Sequence, residues 1–275
     1  MASVSMTTAA DLVGRMGTRA APLVIDVRRR AAFAESERVI AGACWRDHRE
    51  AATWGRALPR GRDIVVYCVH GHEVSAAACA ELQALGLAAK VLADGFEGFV
   101  AAGGPTLLRA AMPAPWPERP TRWVTRERPK IDRLACPWLI RRFVDPQAAI
   151  YYVDPGRVPE IATELDAVPF DVDGVAYAHR GELCSFDTFL DLLGLEDPSL
   201  RHVARIVCGA DTARLDLEPQ CAGVLAISLG IAASFADDHE ALEAGMLLYD
   251  SLYAWTRRAR HETHNWPPVP RERAA

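Results

Sequence analysis

Apolar residues fall into short unbroken runs and longer helical patterns along this chain. The runs at 23–27 (Leu-Val-Ile-Asp-Val) and 63–67 (Asp-Ile-Val-Val-Tyr) read as buried strands. Residues 122–125, 149–153 and 168–170 give shorter strand signals. Thr7 and Thr8 precede Ala-Ala-Asp-Leu-Val, the pattern of a capped first helix. Residues 47–57 are expected to be helical, and Ser75 is placed to cap an Ala- and Leu-rich helix running to Leu85. Later helices are expected at 186–193 after Ser185, at 198–208, at 219–235 and at 238–258. Pro137 suits the first turn of another, with Cys136 at the preceding cap position. The segment 219–235 is nearly all apolar and is expected at the centre of the core. Residues 238–258 begin with acids and end in Arg257 and Arg258, which complements the helix dipole. Leu242, Met246, Tyr249, Leu252, Tyr253 and Trp255 give that helix a broad apolar face.

Pro113, Pro115, Pro117 and Pro120 interrupt the pattern and favour extended backbone. They mark a linker at 109–121 between a first domain, 1–108, and a second, 122–260. A Pro- and charge-rich tail, 261–275, is expected to fray. Two domains also suit a length of 275 residues.

Hydrophobic residues make up 50% and charged residues 24%, as in a globular protein with a sizeable core. The net charge of −5 gives no general attraction to nucleic acid, and none is expected as a partner. The longest uncharged apolar run, 221–236, is sixteen residues, short of the ~20 that span a bilayer, so no membrane partner is expected. Seven scattered cysteines without a CxxC pair suggest neither a disulfide framework nor a cysteine-rich zinc site. The first residues lack a signal pattern, and a reducing cytoplasm is the expected compartment.

Among those cysteines, Cys68 stands between a strand and a helix start. There the backbone N–H groups of Val69, His70, Gly71, His72, Glu73 and Val74 and the positive helix end would stabilise a sulfur anion. This makes Cys68 the candidate nucleophile. Asp26, at the end of the first buried run, is expected to cap the next turn; Arg28, Arg29 and Arg30 form a short basic run that reads as a solvated face, and Arg28 is expected to have a structural partner. Cys79, in the helix, is expected to pack as a small buried residue rather than resolve an oxidised Cys68.

The stretch Ile64-Val65-Val66-Tyr67-Cys68-Val69-His70-Gly71-His72-Glu73-Val74-Ser75 has three companions in order. They are Pro22-Leu23-Val24-Ile25-Asp26-Val27-Arg28 with Ile40-Ala41-Gly42-Ala43, then Val91-Leu92-Ala93-Asp94-Gly95-Phe96-Glu97-Gly98-Phe99, then Gly103-Gly104-Pro105. Together they resemble a rhodanese-like sulfurtransferase domain over residues 5–107. The resemblance implies an α/β fold around a parallel sheet and a persulfide carried on Cys68. Relatives that use thiosulfate usually carry a basic residue just after the cysteine or five positions on; here Val69 and Glu73 stand there. A carboxylate at the mouth repels a dianion, which favours a thiol persulfide as donor. With Ser75 as cap the loop is one residue longer than usual, as in relatives that handle phosphate- or arsenate-sized oxyanions. His70 and His72 are placed to supply a proton or positive charge near neutral pH.

The second domain opens on a basic cluster. From 119 to 142 eight basic residues face two acids, a local charge of +6. Arg126, Arg128, Lys130 and Arg133 with Cys136 make a candidate oxyanion site; the alternative is a solvated face paired with acids. His179, Glu182, Cys184 and Asp187, with Asp211 further on, offer imidazole, thiolate and carboxylates to a divalent metal. Their spacing matches no standard site. Four stretches, 130–143 (Lys-Ile-Asp-Arg-Leu-Ala-Cys-Pro-Trp-Leu-Ile-Arg-Arg-Phe), 179–187, 209–212 and 248–255, resemble the chromate-resistance domain at the C-terminus of ChrB-type proteins. Those proteins often carry a DNA-binding module in front; this chain has a rhodanese-like region there instead, so a regulator role is not implied.

The expected class is α/β, an N-terminal rhodanese-like parallel sheet with helices followed by a mainly helical α+β domain. The expected function is sulfur transfer from a small-molecule donor through Cys68 to a thiol acceptor, in a setting of chromate or oxidative stress. That chemistry requires no cofactor. The alternatives are a non-catalytic sensor or binding protein for an oxyanion such as chromate, and a thiol-dependent oxyanion reductase. Neither the sulfur donor nor the oligomeric state is legible.

Overall fold

The apolar runs at 23–27 and 63–67 become adjacent parallel strands. A computed structural model describes residues 5–263. The first half contains β1 (Met6–Thr7), α1 (Ala9–Arg15), β2 (Leu23–Asp26), α2 (Arg30–Glu35), β3 (Arg38–Ile40) and β4 (Ala43–Trp45). It continues with α3 (Ala51–Trp54), β5 (Ile64–Tyr67), α4 (Glu73–Ala84), β6 (Ala89–Leu92), α5 (Gly95–Ala101) and β7 (Thr106–Leu108). The main sheet has the order β1-β6-β5-β2-β4, and every pairing in it is parallel. Strands β3 and β7 form a separate antiparallel pair.

Alternation along the strands divides the interior. Leu23, Ile25, Ile64, Val66 and Cys68 cluster with Ala78, Cys79 and Leu82 of α4. Val24, Val65 and Tyr67 face the other way, into a larger cluster. The pleat thus delivers Cys68 to the α4 side, at the carboxyl edge of the sheet where such folds hold their sites.

The second half contains β8 (Arg122–Arg126), α6 (Asp132–Leu139), β9 (Ala149–Val153), α7 (Val158–Glu164) and β10 (Val168–Pro169). It ends with α8 (Ser185–Leu193), α9 (Pro198–Asp211), α10 (Cys221–Ser234) and α11 (Asp238–Ala254). Strand β8 lies between β10 and β9 in a parallel three-stranded sheet. The larger cluster runs from Leu12, Met16 and Phe33 of the first half into Trp123, Trp138, Phe143 and Tyr253 of the second. Gly17 lies at that junction with φ +67°, and a Cβ there would sit 2.4 Å from the Tyr253 ring. Arg257 and Arg258 donate to the carbonyls of Met16 and Gly14, so the basic end foreseen for the last helix grips α1. The Pro-rich stretch lies against the first half, where Cys44 and Arg46 both donate to the Pro117 carbonyl.

Several expectations are corrected. Helix α4 starts at Glu73, with His72 at the cap position, so Ser75 lies inside the first turn. Helix α6 starts at Asp132 and contains Pro137. Proline has no N–H for the Arg133 carbonyl one turn back; the Tyr152 hydroxyl donates to it instead, at 2.8 Å. Residues 47–57 are helical only in pieces, with 3-10 turns on either side of α3. Helix α10 is not central. Only Cys221, Val224 and Ser228 are buried in it, while Ile227 and Leu229 are 51% and 44% exposed. A helix apolar on every side gives no cue to which stripe faces inward. Among the described residues no helix is long and apolar enough to cross a membrane. The tail expected from 261 lies, from 264 onward, outside the described residues.

The end of β2 is held by a buried ion pair. Arg28 Nε lies 3.1 and 3.0 Å from the Asp26 carboxylate oxygens, and Nη2 lies 2.6 Å from Oδ2. The Arg28 amide and the Tyr67 hydroxyl donate to the same carboxylate at 3.0 and 2.9 Å. Arg28→Ala leaves that carboxylate buried without its cation and should destabilise the protein by about 3–5 kcal/mol, read by urea denaturation. A loss under about 1 kcal/mol, the range of an exposed pair, would contradict this role.

Candidate functional site

Cys68 opens the loop between β5 and α4. Its carbonyl accepts the Phe96 amide at 2.9 Å, and that of Val69 accepts the Glu97 amide at 3.2 Å. These two carbonyls are therefore turned toward α5, and the amides of His70, His72 and Ser75 face the sulfur. Gly95 allows this approach, because a Cβ on it would lie 2.5 Å from the Cys68 carbonyl oxygen. Gly71, at φ +75°, is equally close, its Cβ position 2.6 Å from the Leu92 carbonyl.

Cys68 is 7% exposed as a residue. Burial pushes its pKa up, but the Ser75 hydroxyl and the amides of Ser75, His72 and His70 outweigh this, and the thiol ionises below its ordinary value. Ser75 Oγ lies 3.2 Å from Sγ and 3.1 Å from the His72 carbonyl oxygen. Its one proton can serve the carbonyl while the thiol is neutral and the sulfur once it is charged. Cys79, in the same helix, has burial alone and is pushed up to about 11.

A cavity of about 490 Å³ opens over Cys68, lined among others by Arg29, His70, His72, Glu73 and Val74. His70 Nδ1 lies 3.3 Å from Glu97 Oε2. Glu73 is exposed at the mouth, as its position suggested, but exposed Arg29 lies there too. Arg29 belongs to the basic run 28–30, whose expected role is a solvated face; its place just beyond β2 is the available signal of a site position. Asp26 and Arg28 support the loop from below as a buried pair.

The basic cluster is largely paired. Arg126 Nη2 and Arg133 Nε lie 3.0 and 3.5 Å from Asp171 Oδ2. Arg141 pairs with Glu243 and Arg142 with Asp250. Arg128 and Lys130 are exposed. Cys136 is fully buried, and burial raises its pKa well above the ordinary value, so it is not the reactive thiol of an oxyanion site.

The expected metal set separates into two groups. His179 and Asp211 converge with Asp132 and Asp171. His179 Nε2 lies 3.1 Å from Asp211 Oδ2, 3.3 Å from Asp132 Oδ2 and 3.6 Å from Asp171 Oδ1. Hydrogen bonds to Asp132 and Asp171 push His179 up to about 10. Burial, then the charges of Asp132 and Asp171, push Asp211 up to about 7. Cys184 and Asp187 lie elsewhere, 3.5 Å apart beside Cys208. Cys208 is lowered to about 6 by its contact with Cys184 and by Arg214, whose Nη2 is 3.1 Å away. Glu182 is exposed and pairs with Arg214. Asp132, Asp171 and Cys208 were missed as site residues. Asp132 had been counted only as an acid within the basic run, although it lies in a stretch that carried the second resemblance.

Residues 123–256 match the family model described as ChrB, C-terminal domain, and residues 8–102 match that of the rhodanese-like domain. A stretch of 133 residues, 48% of this chain, is 33% identical to Protein ChrB of Cupriavidus metallidurans. It covers 39% of that protein, so the chain spans well under two thirds of this curated relative. A rhodanese-related protein from Thermoplasma volcanium is 28% identical over 38% of this chain and 99% of its own, with a TM-score of 0.34. A thiosulfate sulfurtransferase from Pseudomonas aeruginosa is 30% identical over 38% of this chain and 19% of its own, with a TM-score of 0.31.

A neutral alkylating reagent should modify Cys68 at a rate that rises with pH and levels off earlier than for a free cysteine. The lowered pKa requires this direction, because the thiolate is the reacting form. Ser75→Ala removes a donor and should move the inflection to higher pH. Rates followed by mass spectrometry that ignore this substitution, or inflect above free cysteine, would contradict the proposed stabilisation.

Proposed function

We propose that this chain, a rhodanese-like domain joined to a ChrB C-terminal domain, is a sulfurtransferase that carries sulfane sulfur on Cys68. The observation behind this reading is the sulfur's position, ringed by the Ser75 hydroxyl and the amides of Ser75, His72 and His70, beneath an open cavity. The Cys68 thiolate attacks the outer sulfur of a donor persulfide. A Cys68–sulfur bond forms, the donor's S–S bond breaks, and the donor leaves as a thiolate. An acceptor thiolate then attacks the outer sulfur of the Cys68 persulfide, and Cys68 returns to its thiolate. No electrons are gained or lost overall, and the same donors stabilise the sulfur anion in both steps.

Charge at the mouth bears on the donor. Glu73 repels a dianion such as thiosulfate, Arg29 offsets it in part, and Arg28 is engaged by Asp26. A thiol persulfide of lower charge meets less repulsion and is the preferred donor in this reading. The match to the ChrB C-terminal domain supports, in this reading, a setting of chromate resistance. In that setting, passing sulfane sulfur to a thiol acceptor would serve a cell whose thiols are under oxidative attack.

The purified chain treated with a low-molecular-weight persulfide should gain the mass of one sulfur atom, on Cys68, and lose it to an added thiol. Thiosulfate should load it more slowly. Failure of sulfur to add, or undiminished addition to Cys68→Ser, would end this reading.

A further inference from the structure

Apart from the Cys68 site, the second half holds a group of side chains without a structural explanation. Asp132 begins α6 and is 1% exposed. Its Oδ2 accepts the Ser185 amide at 2.7 Å, but its buried Oδ1 has no hydrogen-bond partner among the described residues. An unpartnered carboxylate oxygen shielded from water is costly unless a cation meets it.

The surrounding residues supply what a cation needs. Donor atoms of Asp132, His179 and Asp211 all lie within 4.8 Å of one another. Three carboxylates approach the single His179 Nε2 at 3.1, 3.3 and 3.6 Å. One N–H cannot donate well to all of them. Donors bound at about 2.0–2.2 Å to a four- or six-coordinate cation lie about 3–3.5 Å apart, close to the observed spacing. Asp171 is already answered by Arg126 and Arg133. Among the described residues no arginine forms an ion pair with Asp132 or Asp211, and a dication with neutral His179 balances their two charges. His179 is 42% exposed, so the group has an entry path.

We infer that Asp132, His179 and Asp211 bind a divalent first-row transition cation, with Asp171 flanking the site. Two carboxylates and one imidazole suit Mn²⁺, Fe²⁺ or Zn²⁺ and leave positions for water or a further ligand. Glu182, Cys184 and Asp187 are not among the ligands. The site needs no residue of the Cys68 loop.

The full chain, stripped with a chelator, should bind one equivalent of Mn²⁺, seen as loss of the free-ion electron paramagnetic resonance signal, and Zn²⁺ by calorimetry. Bound metal should raise the melting temperature. Asp211→Asn and His179→Ala should each weaken binding at least tenfold and abolish the thermal shift, with unchanged circular dichroism. Glu182→Gln and Cys68→Ser should bind as the natural chain does. His179 is partly exposed, so its variant decides the matter if Asp211→Asn misfolds. No binding of either metal at millimolar concentration, or binding that survives His179→Ala, would overturn the inference.

Discussion

The direction of the peptide units after Cys68 governs the chemistry of the first half. A loop amide can face a sulfur anion only when the neighbouring carbonyls are satisfied elsewhere. The amides of Phe96 and Glu97 satisfy those of Cys68 and Val69, and Gly71 and Gly95 let the two backbones meet. Asp94 stays in the left-handed region at φ 58° to make the turn into α5. Comparison with Cys79 shows how opposing effects resolve. Burial raises both thiols. Only Cys68 has donors around it, and there they outweigh desolvation.

The same sheet separates the loop from the second half. Cys68 belongs to the face covered by α4, whereas Val24, Val65 and Tyr67 on the opposite face join the core shared with Trp123 and Trp138. The named lining of the Cys68 cavity comes from the first half alone. The halves therefore share packing but build their reactive groups separately. Gly17, against the Tyr253 ring, and Arg257 and Arg258, against the end of α1, make that packing specific.

What could be read in the sequence was local. The strands around Cys68 and the apolar face of α11 follow from short patterns with one physical solution, whereas the partner of Arg28 proved to be Asp26 only in the fold. Helix starts were less legible. Ser75 resembles a cap, yet its hydroxyl is turned to the His72 carbonyl and the Cys68 sulfur. Pro137 resembles a first-turn residue, yet Tyr152, distant in sequence, satisfies the carbonyl it leaves open. The acidic group was the least legible part. Asp132, Asp171, His179 and Asp211 come from separate elements, and only folding brings them together. Nearness in sequence suggested Glu182, Cys184 and Asp187 instead, and these point to other partners.

The cysteines show how one chain keeps most of its thiols inert. Burial raises Cys44 and Cys79 to about 11, lifts Cys136 and Cys184 well above the ordinary value, and raises Cys221. An electrophile therefore meets little thiolate at these positions near neutral pH. Cys68 and Cys208 depart from this, for different reasons. Cys68 is lowered by a hydroxyl and backbone amides, neutral donors held by the loop. Cys208 is lowered by Cys184 and the Arg214 cation. A fixed cation stabilises the thiolate and also retains an anionic product. Neutral donors stabilise the Cys68 thiolate without adding a counter-ion that would hold an anionic product. Of the two ionisable thiols, Cys68 alone combines that neutral support with a cavity of about 490 Å³ at its edge.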